Sequence, residues 1–402
     1  MTRRAKMLVQ AADARHSRKI AALSAEDEAN VARFQGSVRR ELRRLMRTWP
    51  GVSDLARTFP ACAQVLAVGQ LPPDQKRLIL TAVADGEQLK SIARHMGLPW
   101  WMRQLAPEML QDGVPEVPQS EAFARRVASR LPAAGATPLW LDAVAFGARA
   151  VNEDFAIWLA GQDLYKERGE AQRLFALLAA YAWYSGQPGT AAHGLINVPW
   201  RSEISFETAL CAAKSWFNRL RLIVELERGT IGDTWLKGGT ASGYSFVPIV
   251  DNATILEEAR AMQNCADQYA ERLARDRCRL FSVRRGAVRV AMLEVGAHPR
   301  EPAVLTVTQL KARHNMPAPV EVWQAAHLWL SQQTGLRRIG PIAQPERPLA
   351  VKRWTELLQP YRAQRNGAPW LPGDITHRVL HQLDADISDL ARRGDVNSWL
   401  FT

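Results

Sequence analysis

The residues best suited to chemistry in this chain fall between Asn264 and Asn315. Cys265 is a thiol preceded by the carboxamide of Asn264 and followed four positions later by Tyr269. A thiolate acts as a nucleophile only beside a base or a positive charge. Asn264 is not a base, so His314 would have to reach Cys265 from another loop, with Gln309 or Asn315 orienting it or donating to an oxyanion. A cysteine at the flank of an apolar helical stripe is also an ordinary small packing residue, and both readings stand at this stage. Arg284 and Glu294 fall in neighbouring strand-like runs. They can pair across a sheet, or Arg284 can clamp a phosphate or carboxylate. Gln309 and Asn315 carry both donors and acceptors, which suits a base edge, a peptide amide or the backbone of their own loop. Cys265, Arg284, Glu294, Gln309 and Asn315 are therefore the candidate catalytic set. Asn264, Tyr269, Ser282, Arg313 and His314 are the candidate ligand contacts. The set yields a pocket only if the fold brings these residues to one end of a layered structure.

Other groupings carry less. His377 and His381 are four apart in a predicted helix over Asp374–Arg393 and could ligate a metal ion together. Only Asp384 and Asp386 lie near them as further ligands, and no metal site is expected. The four cysteines, Cys62, Cys211, Cys265 and Cys278, show no CxxC or Cys/His spacing, which fits reduced thiols in the cytoplasm. Gly238 to Gly243 has the glycines of a phosphate loop but neither its Lys-Ser/Thr ending nor a preceding apolar strand, so it reads as a linker. No cofactor is expected.

The elements that would position the candidates follow from periodicity. Thr254 and Glu257 form a capping box. The helix it opens carries Ile255, Ala259, Met262, Ala266, Tyr269 and Leu273 on one stripe, with Cys265 at its flank. Three alternating runs come next: Leu280–Arg284, Val288–Glu294 and Val304–Leu310, joined by hairpin-sized connections. Pro317 and Pro319 introduce a last helix with Val322, Trp323, Ala326 and Leu330 inward. The predicted fold class is mainly α with a C-terminal α+β module, in which a helix, a three-stranded antiparallel meander and a second helix make a layer with helices on one sheet face. The chain divides on this reading into a basic N-terminal arm (1–36), a helical domain (37–237) with a hinge near 112–118, the α+β module (244–335) and a C-terminal helical extension (336–402). The helical domain's tryptophans Trp140, Trp158, Trp183 and Trp216 recur at helical spacing, as core residues do.

Composition bounds the partners. Among 402 residues, 52 Lys and Arg against 40 Asp and Glu give a net charge of +12, and a hydrophobic fraction of 47% excludes a largely disordered chain. Such a surface attracts DNA or RNA without reading sequence. Between Ser37 and Thr48, Arg39, Arg40, Arg43, Arg44 and Arg47 are set against Val38, Leu42 and Leu45, giving a cationic amphipathic helix that can lie along phosphates or simply face water. Apolar runs such as Leu174–Tyr184 fall short of the ~20 residues needed to cross a bilayer, and no apolar stretch follows the basic start as in a secretory signal. No membrane association is expected, and the sequence leaves the oligomeric state open.

The region 244–331 resembles the PcfJ-like family of conjugative plasmids, other mobile elements and phages. The resemblance rests on an acidic helix start leading to Met262-Gln-Asn-Cys265 and Tyr269, then Ser282-Val-Arg284, Leu293-Glu294 and Gln309 through Asn315, in the family's order and spacing. Asn264 stands where the family has His, Ala266 where it has Val, and Ala312 where it has Gly. Membership implies association with mobile elements, their proteins as partners, and a site at these residues. The reading that results is a mobile-element-associated protein whose basic helical region contacts nucleic acid and whose module forms a polar recognition site. Its alternative is a Cys-based or Arg/Glu/Gln/Asn-based transferase or hydrolase acting on a nucleotide or protein.

Overall fold

The computed structural model describes residues 22–68, 71–110, 114, 117–118, 120–127, 131–132, 137–162, 171–226, 231, 233–337, 348–365, 372 and 374–393. The chain forms two compact units, 1–168 and 169–402. Among the described residues no helix is long and apolar enough to cross a membrane.

The first unit is helical. Its elements are α1 (Ala25–Ala32), α2 (Gly36–Thr48), α3 (Val52–Thr58), α4 (Pro60–Val68), α5 (Pro73–Ala84), α6 (Leu89–His95), α7 (Glu121–Val127), α8 (Thr137–Ala150) and α9 (Glu153–Ala160). Helix α4 is buried from Pro60 to Leu66, the expected state of a short helix that is apolar all round. Val38, Leu42 and Leu45 of α2 pack into the same core. Of the expected N-terminal arm, 1–21 lie outside the described residues. The remainder is anchored, with Ser24 capping α1 and Val31 and Phe34 buried. The expected hinge lies largely outside the described residues, and its Val117 is buried in this unit's core. Trp140 and Trp158 are buried here, as their spacing implied.

The second unit begins with α10 (Ala171–Ser185) and α11 (Phe206–Glu225), so these two helices belong with the sheet and not with the helical region that precedes them. Then come β1 (Gly239–Ala241), β2 (Tyr244–Pro248), α12 (Asn252–Met262), a 3-10 turn (Ala266–Tyr269), α13 (Ala270–Ala274), β3 (Cys278–Arg285), β4 (Val288–Ala297), β5 (Leu305–Lys311), α14 (Val320–Ser331), α15 (Val351–Arg365) and α16 (His377–Arg393). The C-terminal segment is part of the same body, since the Tyr184 hydroxyl of α10 donates to the Leu357 carbonyl at 2.8 Å.

The sheet has five antiparallel strands in the order β1-β2-β3-β4-β5, against the three expected. Of the two extra strands, β1 lies in the stretch read as a linker and β2 in the extended run Tyr244–Ile249 that follows it. Ala241 pairs with Tyr244 across Ser242 (φ 49°) and Gly243 (φ 78°), two left-handed residues that close a tight hairpin whose twist suits the strands. Beyond β4, β5 is the outer strand, and isolated bridges hold its two ends, Val304 to Arg337 and Lys311 to Pro317.

Both faces of the sheet are covered, where one was expected. On the first, Phe246, Phe281, Val283, Leu293, Val295 and Leu310 meet Val322, Ala325, Ala326 and Trp329 of α14. Trp329 stacks on Phe246 with ring centroids 4.7 Å apart. On the second, Leu280 and Met292 meet Leu222, Ile255, Ala259, Ala266, Tyr269 and Leu273 from α11, α12, the 3-10 turn and α13. Side chains alternate across a strand, so Ser282, Arg284, Glu294 and Gln309 share this second face with Leu280 and Met292.

Candidate functional site

The helix expected to run from Thr254 to Leu273 is interrupted. It starts at Asn252, and its cap is Asp251, whose carboxylate accepts from the Thr254 amide at 2.7 Å while the Thr254 hydroxyl accepts from the Asp251 amide at 3.2 Å. It ends at Met262, because Gln263 turns left-handed (φ 49°) and the Asn264 amide bonds back to the Ala259 carbonyl at 3.3 Å. Cys265 therefore sits in a turn. The Asn264 side chain holds that turn by accepting from the Ala266 amide at 3.1 Å, as Asn does in tight loops.

A second left-handed turn faces it. After β5, His314 and Asn315 both have φ of 58°, and the Ala312 amide donates to the Met316 carbonyl at 2.8 Å across them. Consecutive left-handed residues without glycine are uncommon, and Asn is among the few that tolerate the conformation. The turn carries Asn315 to Cys265, where its Oδ1 accepts from the Cys265 amide at 3.4 Å and lies 3.6 Å from the thiol sulfur. His314, expected as a base, is exposed and makes no hydrogen bond to Cys265.

These residues border a cleft of about 620 Å³, within the range of ligand sites. One side is Gln263, Asn264, Cys265, Asp267 and Gln268 with Ala259 and Arg260. The other is Ile196–Val198, Ser215 and Arg219 of α11, with Asn315 between them. In its wall is a buried ion pair: Arg219 donates from Nε to Asp267 Oδ2 at 2.8 Å and from Nη1 to the Leu195 carbonyl at 2.9 Å. The Asp267 carboxyl is pushed up by burial, against the pull of Arg219.

The electrostatics bear on the nucleophile reading. The Cys265 thiol is pushed above its ordinary range, first by burial and then by the nearby Asp267 charge, against the pull of its own backbone amide, Lys311 and Asn315. A thiol so placed is protonated at neutral pH and resists attack chemistry.

Glu294 and Gln309 lie on the same sheet face but in a separate, closed arrangement. Glu294 is 2% exposed. It takes both ends of the Arg272 guanidinium, including Nη1 at 3.0 Å, and accepts the Thr308 hydroxyl at 2.7 Å. The Tyr269 hydroxyl sits between Glu294 Oε2 at 2.9 Å and Gln309 Oε1 at 2.5 Å. Thr308 reaches in because the β4–β5 register shifts beside Glu294. The expected Arg284–Glu294 pair is not formed: Glu294 stands opposite Leu280, while Arg284 donates to Ser282 Oγ at 3.1 Å. Arg313 is exposed in the turn beside His314.

Of the ten candidates in the module, Asn264, Cys265 and Asn315 meet at the cleft. Glu294, Gln309 and Tyr269 form the closed network, and Ser282 and Arg284 sit further along the sheet. Arg219, Asp267, Ser215, Gln263, Gln268 and Arg272 were not singled out from the sequence. One signal was available for Arg219: it falls within one turn of Trp216, Phe217, Leu220 and Leu222, all buried, so its charge must be met by a partner there.

His381 Nε2 lies 3.5 Å from Glu271 Oε1 and 3.3 Å from Arg275 Nη2, in a charged cluster on α13 and α16. Among the described residues no three His, Cys, Asp or Glu side chains gather to hold a metal ion.

In the first unit the α2 arginines are partly engaged. Arg39 donates to the Phe34 and Ala32 carbonyls at 3.0 and 2.8 Å, Arg43 pairs with Glu28 at 2.8 Å, and Arg44 forks onto Glu41 with Nη2 at 2.7 Å. Arg40 and Arg47 are exposed and bond to no other described side chain. Compared with known protein families, curated proteins and solved structures, the chain matches none.

Proposed function

We propose that this chain is a recognition protein, not a thiol enzyme, whose second unit binds a polar ligand in the cleft between Asn264, Cys265 and Asn315. The observation that carries this reading is a ligand-sized cleft bordered by carboxamides, in which the single thiol is held protonated beside a carboxylate. Carboxamides offer a donor and an acceptor each without charge, which serves selection by hydrogen bonding more than bond-breaking.

The broader setting is proposed with it. The ordered motifs from Met262 to Asn315 support a PcfJ-like protein of a mobile element. The net charge of +12 and the unengaged Arg40 and Arg47 support weak, sequence-tolerant contact with DNA or RNA. The free thiols of all four cysteines fit a reducing, cytoplasmic setting.

The test is the reactivity of Cys265. Iodoacetamide is expected to label it more slowly than free glutathione between pH 7 and pH 9, by roughly ten-fold or more for each unit of raised thiol pKa. Labelling faster than glutathione at pH 7 would show an activated thiol and discard the recognition reading. For nucleic acid, a gel-shift series with duplex DNA and RNA is expected to show binding at low salt that fades steeply as salt rises. No shift at low salt removes that part.

A further inference from the structure

We infer that the ligand of the cleft is a short peptide segment, held by its backbone amides and bearing an acidic group; this rests on the recognition reading above. Three kinds of side chain carry it. First, the carboxamides of Asn197, Gln263 and Gln268 line the cleft and make no hydrogen bond to any described residue. Each presents one N–H side and one C=O side, the same pair that a peptide group presents in reverse. Second, Arg219 is 5% exposed and lines the cleft, yet only its Nε and Nη1 are engaged, by Asp267 and the Leu195 carbonyl. Its Nη2 bonds to no described residue and is left for an acceptor that enters the cleft. Third, the Arg219 charge is cancelled by Asp267, which leaves the exposed Arg260 as the net charge at the rim, with Lys311 close enough to act on the Cys265 thiol. A ligand with a carboxylate matches that balance.

A nucleobase is the competing occupant, and the lining argues against it. None of the side chains that border the cleft is aromatic, so no ring is available to stack on a base. The apolar part of the wall is Ile196, Val198 and Ala259, which suits a small aliphatic side chain.

The experiment is selection of a phage-displayed random dodecapeptide library on the whole chain and on an Arg260→Glu variant. Arg260 is exposed and outside the core, so this reversal leaves the fold intact. The expected result is enrichment of peptides with an acidic residue beside small aliphatic ones on the native chain only. A fluorescein-labelled winner should bind the variant at least about ten-fold more weakly and should slow iodoacetamide labelling of Cys265. The same chain is titrated with the four ribonucleoside 5′-monophosphates, read by protection of Cys265. Protection by a nucleotide without peptide enrichment overturns the peptide assignment and leaves the recognition cleft standing. Enrichment that is equal on both chains, or no enrichment and no protection, overturns the assignment outright. The reactivity of the ligand-free thiol is measured separately, and it alone decides the recognition reading.

Discussion

Glu294 and Cys265 belong to the same side of the same sheet, yet their surroundings are opposites. Around Glu294 every strong group is matched: two guanidinium donors, a threonine hydroxyl and a phenol converge on one buried carboxylate. Around Cys265 the carboxamides have donors and acceptors to spare and the space in front of them is open. Polar residues in a folded chain are thus of two kinds. Those whose capacity is used up within the protein hold the structure together, and those with capacity left over are available to something else. By this criterion Glu294 and Tyr269 are structural, as is Asn264, whose Oδ1 and Nδ2 are taken by the Ala266 amide and the Met292 sulfur, and the site is Asn197, Gln263, Gln268 and Asn315 with their neighbours.

Substitutions can break that contrast. The largest effect is expected for Glu294→Ala, which removes the carboxylate that takes both ends of the Arg272 guanidinium and the Tyr269 and Thr308 hydroxyls. Loss of a buried ionic partner costs about 3–5 kcal/mol. The cost here belongs near about 3 kcal/mol, because Arg272 is half-exposed and regains water. Urea denaturation measures it, and a loss below about 1 kcal/mol would mean that the network is not the structural one. Tyr269→Phe removes one hydroxyl and leaves Arg272 and Thr308 in place, so about 1–1.5 kcal/mol is expected by the same assay.

Acid titration sharpens the cleft side. Burial raises the Asp267 carboxyl in the folded state above its ordinary value of 3.8. Its ionised form therefore costs stability at neutral pH. That cost is relieved as pH falls through the raised folded value, and the relief is complete once the unfolded carboxyl also protonates. The native chain should gain stability relative to Asp267→Asn as pH is lowered from 7 towards 4. The slope for one proton is at most about 1.4 kcal/mol per pH unit, and an opposite slope would reverse the assigned direction. The smallest effect is expected for Asn315→Gly, since glycine keeps the left-handed turn and gives up only two long contacts to Cys265, 3.4 Å from its amide and 3.6 Å from its thiol. Stability should change by no more than about 0.5 kcal/mol in thermal melts. A loss comparable with that of Glu294→Ala would place Asn315 among the structural residues.

Much of this architecture was legible in the residues, and the failures have identifiable causes. The β3–β5 meander and α14 follow from alternation and from the prolines before Val320. The strand β1 was missed because three residues, Gly239 to Ala241, carry no alternation to read. The break at Gln263 was missed because a long amphipathic stripe continues through it in register, and only a left-handed backbone at a residue other than glycine marks the end of the helix. Convergence was anticipated for the whole polar set, and only Asn264, Cys265 and Asn315 of it reach the cleft. The partner of Glu294 was not, because pairing depends on register: bulges at Val283/Arg284 and Glu294/Val295 set which residues oppose one another, and Arg272 approaches from α13, outside the sheet. Arg219 and Asp267 are 48 positions apart. Nothing local to either announces the other.

The way the sheet ends has a further consequence. At one margin β1 offers only three residues, too short a template for an added strand to grip. At the other, both tips of β5 are already clasped by the chain itself, at Arg337 and at Pro317. A proline at one clasp has no amide hydrogen to offer a newcomer. Neither margin invites a neighbouring molecule to lengthen the sheet, so copies of this protein crowded together in a cell are guarded against zipping edge to edge.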